Sequence, residues 1–207
     1  MGTIILASAN KDVKEFSKHF PKSPDQTRVL RITSACRDVP DTTYIERGAS
    51  VWTSLGMDLE DYDIKGKDQD EVRHALKDKD VVHLTGGNGF HMLLAIRESG
   101  FEQVVREFLD QGGVYTGSSS GAYVAGPSID QHAILKPKWN TVGLTDFTAM
   151  KLVPFLVKCH VTEEKLPNFR NIYANLKYPI RLLADGQFFV VKDNQVTFHG
   201  SGKEFIL

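Results

Sequence analysis

The chain has 207 residues, of which 41% are apolar and 10% aromatic. This share is enough to bury a sizeable core, so disorder over most of the length is excluded and one domain over residues 1–207 is predicted. Lysine and arginine total 25 against 26 for aspartate and glutamate, giving a net charge of −1, which excludes a global field that would draw the chain to nucleic acid or an anionic membrane.

Extended apolar runs alternate with amphipathic stretches along most of the chain, which predicts a mostly parallel sheet with helices on both faces. The predicted strands cover residues 3–7, 28–33, 57–64, 80–84, 114–117 and 152–157, and a hairpin over 187–198 turns at Asp193-Asn194. The predicted helices cover 12–19, 41–55, 68–78, 90–110 with a break at Gly100, and 163–176. Residues 131–140 are predicted to form a loop.

No targeting or membrane signal is visible. No apolar run reaches about 18 residues, and the first residues lack a basic leader before their short apolar run. The two cysteines, Cys36 and Cys159, make neither a disulfide framework nor a zinc site. These features predict a cytoplasmic protein that uses no metal or other cofactor.

Gly117-Ser118-Ser119-Ser120-Gly121 fits the pattern G-x-S-x-G, with Ser119 at its centre. A predicted strand precedes the motif and small helix-forming residues follow it. This strand–turn–helix setting is typical of a nucleophile elbow, which exposes a serine oxygen at the carboxyl edge of a sheet. An anion-binding helix N-terminus without covalent chemistry is the alternative.

A glycine-rich turn, Thr85-Gly86-Gly87-Asn88-Gly89, follows the predicted strand 80–84. If that strand neighbours the one that leads to Ser119, the backbone N–H groups of Gly87 and Ser120 could form an oxyanion hole. The turn could instead bind phosphate, although it fits neither the dinucleotide nor the Walker pattern.

A serine nucleophile needs a base, and His160 is the best placed of seven histidines. It follows the predicted strand 152–157, at the carboxyl edge where the sites of open α/β sheets gather. The motif and this histidine together predict acyl transfer by Ser119 with His160 as the general base.

Three blocks, LTGGNGFHMLLAIRESG, GGVYTGSSSGAYVAGPSI and KLVPFLVKCHVTEE, resemble the serine peptidase family of dipeptidase E and cyanophycinase, peptidase family S51. The resemblance implies a three-layer, flavodoxin-like sheet similar to class I glutamine amidotransferases. It also implies hydrolysis of small peptides after aspartate, without a cofactor. Ser119 aligns with the nucleophile, His160 with the base, and Gly87 and Ser120 with the oxyanion donors.

The triad acid departs from the family pattern, because the expected position falls on Ile134. Asp130 is favoured, since related sequences carry an acidic residue at this point after a Pro-x-Ile. Asp146 is the competing carboxylate. A departure at the acid leaves open a non-catalytic small-molecule binder on the same fold.

The resemblance further implies a substrate-binding cation, for which Arg170 is the best candidate. Lys165, Arg181 and His132 compete for this role. The expected partner is a small peptide, with neither nucleic acid nor membrane, and the chain is expected to act as a monomer or homodimer. An esterase of the α/β-hydrolase type stays open as a second enzyme, although the chain is short and lacks an HGGG-type loop.

Overall fold

A computed structural model describes residues 2–36 and 43–207. The strands are β1 (Thr3–Ala7), β2 (Arg28–Ile32), β3 (Asp58–Tyr62), β4 (Val81–Leu84), β5 (Val114–Ser118), β6 (Leu156–Lys158), β7 (Ile180–Leu182), β8 (Gln187–Lys192) and β9 (Gln195–Gly200). The α-helices are α1 (Val13–Phe16), α2 (Thr43–Thr53), α3 (Gln69–Leu76), α4 (Gly89–Ser99), α5 (Phe101–Asp110), α6 (Ser120–Val124), α7 (Asp130–Leu135) and α8 (Leu166–Ile172).

Seven strands form the central sheet in the order β3-β2-β4-β5-β1-β8-β9. The first five of these run parallel, β8 pairs antiparallel with β1, and β9 pairs antiparallel with β8. Helices cover both faces, so the predicted three-layer, mostly parallel α/β fold is confirmed. The hairpin predicted over 187–198 is confirmed as well, with Asp193 and Asn194 at positive φ in its turn.

The alternation of side chains along β1 shows why the sheet needs cover on both faces. Ile4 and Leu6 belong to a large apolar cluster with α3, α4, α5 and α6. Ile5 and Ala7 face the other way and pack with Phe16 of α1 and Trp52 of α2. Consecutive side chains of a strand point to opposite faces, and all five residues of β1 are buried.

Local signals set the ends of several helices. Asp68 caps α3 by accepting from the N–H groups of Asp70 and Glu71, in a complete capping box. Asn88 caps α4 by accepting from the N–H groups of Phe90 and His91. Gly100, at φ 66°, ends α4 and confirms the predicted break before α5.

Residues 131–140 are not the loop that the sequence predicts. Asp130–Leu135 form α7, whose inward residues, Gln131 and His132, are polar although buried. An apolar period therefore never appears in this stretch, and the sequence pattern misses the helix.

The predicted strand 152–157 is also corrected. Only Leu156–Lys158 form a strand, and it pairs with β7 in a separate two-stranded sheet. Pro154 has no N–H to donate to a ladder, and the apolar residues before β6 are buried without strand pairing. The predicted helix over 41–55 is seen as α2, and its first two residues lie outside the described residues.

No helix within residues 2–36 and 43–207 is long and apolar enough to cross a membrane.

Candidate active site

The site lies where three neighbouring parallel strands end. Ser8 follows β1, Gly87 follows β4, and Ser119 follows β5, which runs between those two strands. The predicted neighbourhood of the glycine-rich turn and the serine motif is therefore confirmed. Because the carboxyl ends of parallel strands share one edge, residues far apart in the chain converge here.

Ser119 occupies a strained elbow between β5 and α6. Its backbone has φ 51° and ψ −110°, a conformation that residues with a side chain rarely adopt. Its N–H donates to the Ala7 carbonyl at 3.1 Å, and its own carbonyl accepts from the N–H groups of Ala122 and Tyr123 at 2.9 and 3.0 Å. These bonds hold the turn, as the strand–turn–helix motif predicts.

The two glycines of the motif allow backbones to pass at close range. A Cβ on Gly117 would lie 2.4 Å from the carbonyl oxygen of Gly121. A Cβ on Gly121 would lie 2.2 Å from the carbonyl oxygen of Leu84, at the end of β4. Both distances are far inside van der Waals contact, so the tight turn requires glycine at both positions.

His160 joins Ser119 to a carboxylate. Its Nε2 lies 3.1 Å from the Ser119 hydroxyl, and its Nδ1 lies 2.7 Å from an oxygen of Asp185. When Nδ1–H donates to Asp185, Nε2 carries a lone pair and can accept the serine proton. The three side chains thus form one continuous chain of hydrogen bonds.

Ser8 fixes both ends of the histidine–aspartate pair. Its hydroxyl donates to the Asp185 carboxylate at 2.7 Å and accepts from the backbone N–H of His160 at 2.9 Å. Partial burial alone would raise the pKa of Asp185, but the hydrogen bond from Ser8 and the charge and hydrogen bond of His160 outweigh it. The net pKa lies below its ordinary value, which keeps this carboxylate ionised beside the imidazole.

Two residues that line the same cleft as Ser119, Gly87 and Ser120, are the expected oxyanion donors. The Ser120 hydroxyl donates to the Gly87 carbonyl, which ties the two turns together. Ser120 is the first residue of α6, where an N–H has no partner inside the helix. In the described part of the chain, neither this N–H nor that of Gly87 donates to a backbone carbonyl outside the regular elements. The oxyanion role of these two N–H groups stays a prediction.

Two clefts meet at Ser119 and His160. The larger, of about 630 Å³, extends over α7, β6 and α8 and includes Lys136, Lys158 and Lys165. The smaller, of about 410 Å³, extends over α2 and includes Lys11 and Arg47. A peptide bond at Ser119 would thus have room on both sides.

The carboxylate that contacts His160 is Asp185 and not the predicted Asp130. Asp130 begins α7 and lines a different cleft, with Phe90 and Lys177, which includes neither Ser119 nor His160. Asp146 is exposed and forms an ion pair with Arg97 at 3.2 Å. The expectation that either carboxylate contacts His160 is therefore wrong, because Asp130 begins α7 at a separate cleft and Asp146 is paired with Arg97.

Arg170 is exposed on α8 and does not line either cleft at Ser119. Arg181 forms a bidentate ion pair with Glu204, with both N–O distances 2.6 Å. His132 lines the larger cleft, but burial lowers its pKa to about 4, so it is neutral at pH 7. Of the competing residues, Lys165 alone brings a charge to the cleft.

Cys159, next to His160 in the chain, is not an alternative nucleophile. It is fully buried, and this burial raises the pKa of its thiol to about 12, so the reactive thiolate is absent at pH 7. Across residues 2–36 and 43–207, no group of three or more His, Cys, Asp or Glu side chains is arranged to hold a metal ion.

The fold and this site are those of a hydrolase built on a mostly parallel α/β sheet. The model of peptidase family S51 matches residues 2–199, and the chain belongs to that family. This membership, together with relatives that are named peptidase E, supports a peptidase.

Among the relatives is a Listeria monocytogenes protein named an uncharacterized peptidase, 29% identical over 77% of this chain and 78% of its own length. Peptidase E of Shewanella oneidensis is 32% identical over 71% of this chain and 59% of its own. A crystal structure of a candidate peptidase E from Listeria monocytogenes superposes with a TM-score of 0.85 at 25% identity, covering 98% of this chain and all of that one. A peptidase from an acI-B1 actinobacterium shares the fold, with a TM-score of 0.75 at 17% identity over 100% of this chain and 91% of that one.

Proposed function

We propose that the chain is a serine peptidase that cleaves small peptides after aspartate by way of an acyl-enzyme. The observation that carries this proposal is the hydrogen-bonded series Ser119–His160–Asp185 at a strained elbow. Asp185 lies where a triad acid would act, and this contact supports an active enzyme over a non-catalytic binder.

In this mechanism His160 accepts the Ser119 proton at Nε2 while the serine oxygen attacks the peptide carbonyl. The negative charge that develops on the carbonyl oxygen is stabilised by the N–H groups of Gly87 and Ser120. His160 then gives its proton to the leaving amine, and the C–N bond breaks to leave an ester on Ser119. Water, deprotonated by His160, hydrolyses the ester and restores the serine. Asp185 stays ionised and stabilises the imidazolium.

The substrate class rests on two supports. Relatives carry the name peptidase E, and the larger cleft at Ser119 brings together three lysines, which favours an acidic substrate. The open clefts, of about 630 and 410 Å³, suit a short peptide. We place the activity in the cytoplasm, because both cysteines are free and buried, as is usual in a reducing compartment.

The test measures hydrolysis of four dipeptides through the free leucine that they release: Asp-Leu, Asn-Leu, Glu-Leu and Ala-Leu. A simple nitrophenyl ester is included to detect an esterase. We expect the wild-type chain to prefer Asp-Leu and the Ser119→Ala variant to be inactive, since it loses the nucleophile but little packing. Ester hydrolysis without dipeptide hydrolysis, or equal dipeptide hydrolysis by Ser119→Ala, would contradict the proposal.

A further inference from the structure

Three lysines reach the larger cleft from three different elements. Lys158 belongs to β6, two residues before His160, while Lys136 follows α7 and Lys165 precedes α8. All three line the same cleft as Ser119 and His160. Positive charge is therefore concentrated on one side of the reacting serine.

These lysines have no carboxylate partners within the part of the chain that the structure describes. Lys158 donates from Nζ to the Cys159 carbonyl and lies 5.5 Å from the Phe169 ring centroid. Lys136 lies 5.3 Å from the Trp139 ring centroid. In contrast, four other lysines form ion pairs, at N–O distances of 2.5 to 2.9 Å: Lys18, Lys22, Lys67 and Lys79.

Lys158 is the least exposed of the three. Burial and the charges of Lys165 and Lys136 lower its pKa, whereas the carboxylate of Asp185 opposes this shift. Asp185 is itself engaged by Ser8 and His160. A half-buried ammonium beside two further cations lacks compensating negative charge, and a bound anion would supply it.

We propose that Lys158, flanked by Lys136 and Lys165, binds a carboxylate of the bound peptide. The inference rests on the proposed peptidase function and assigns the specificity-determining cation to Lys158 instead of Arg170. A peptide can offer this carboxylate from its aspartate side chain or from its C-terminus, and the two sources differ in which substrate change removes the interaction.

The test measures kcat/KM for hydrolysis of Asp-Leu, Asn-Leu and Asp-Leu amide by the wild type and by three variants. Lys158→Met removes the cation, Lys158→Arg keeps it, and Lys138→Met is the matched control. Lys138 is exposed on the segment after α7 and lies outside the cleft. We expect Lys158→Met to lower kcat/KM about 10- to 100-fold for the substrate that carries the bound carboxylate. Lys158→Arg should restore much of this loss, and Lys138→Met should match the wild type.

The substrate on which Lys158→Met keeps the wild-type kcat/KM identifies the source of the carboxylate. If Lys158→Met keeps the wild-type kcat/KM on Asn-Leu, Lys158 binds the aspartate side chain. If it keeps the wild-type kcat/KM on Asp-Leu amide, Lys158 binds the C-terminus. An equal loss on all three substrates, or no loss on any, would overturn the inference. The rate at which a fluorophosphonate labels Ser119 is measured in parallel, because it reports the reactivity of the serine without an acidic substrate. Normal labelling with unchanged substrate preference in Lys158→Met would reject the lysine assignment and leave the proposed function standing.

Discussion

The carboxylate that completes the site is Asp185, and single substitutions distinguish it from Asp130. Asp185→Asn should lower kcat by about three to four orders of magnitude with little change in KM, because the amide cannot hold the imidazole in the required tautomer or stabilise its cation. Asp130→Asn is the control and should keep wild-type kcat, since Asp130 lines a different cleft. Steady-state hydrolysis of Asp-Leu measures both. A crippled Asp130→Asn beside a normal Asp185→Asn would reverse the assignment.

Ser8 is predicted to act as a positioning residue. Ser8→Ala removes the donor to Asp185 and the acceptor of the His160 backbone N–H, so we expect kcat to fall about 5- to 30-fold while KM stays near the wild-type value. Ser17→Ala is a matched control, because Ser17 is also buried but bonds only within its own helical segment. Equal kcat values for Ser8→Ala and Ser17→Ala would show that Ser8 does not position the pair.

At the scale of elements, the β5–α6 elbow depends on backbones in contact, and Gly121→Ala tests this. Helix propensity alone would make this change favourable by about 1 kcal/mol. The new Cβ, however, would lie 2.2 Å from the Leu84 carbonyl oxygen, so we expect a loss of at least about 2 kcal/mol in the free energy of unfolding.

The control for this prediction is Gly112→Ala, at a glycine with open space around it and φ 91°. It should lose only about 1 kcal/mol, from backbone strain. Urea unfolding of both variants measures the difference. A Gly121→Ala variant as stable as the wild type would mean that β4 and the elbow are not in contact.

The parts of the site that could be predicted from the sequence are those that lie within single elements and the turns directly after them. The serine elbow and the glycine-rich turn are local patterns, each placed directly after a recognisable strand, so both were found. Asp185 follows β7, a strand of three residues whose pairing with β6 is long-range and leaves no periodic signal. Ser8 was not predicted because its contacts with Asp185 and His160 depend on which strands lie side by side, and a single sequence carries no signal for this.

At the scale of the whole molecule, a buried histidine should make stability depend on pH. His83 lies inside β4, where burial and the charge of Arg31 lower its pKa to about 3. Between about pH 3 and the unfolded value of about 6.5, the unfolded chain binds the proton and the folded chain does not, so stability falls as pH falls. Buried His132, with a pKa of about 4, acts in the same direction.

His83→Asn removes this titration and keeps a polar group near Thr116, the hydrogen-bond partner of His83 at 2.8 Å. Between about pH 7 and pH 5 the variant should lose about 2 kcal/mol less stability than the wild type, whatever its stability at pH 7. Urea unfolding at both pH values measures this difference. Parallel losses in the two proteins would show that His83 is accessible to protons in the fold.

The most direct test of the central claim is covalent labelling of the serine. The wild-type chain is treated with a fluorophosphonate, its intact mass is measured, and the modified peptide is mapped. A triad of Ser119, His160 and Asp185 predicts one adduct, on Ser119, absent in Ser119→Ala and formed much more slowly in His160→Ala and Asp185→Asn. No adduct on the wild-type chain, or an adduct on Ser119 that forms at the same rate in His160→Ala, would contradict the account.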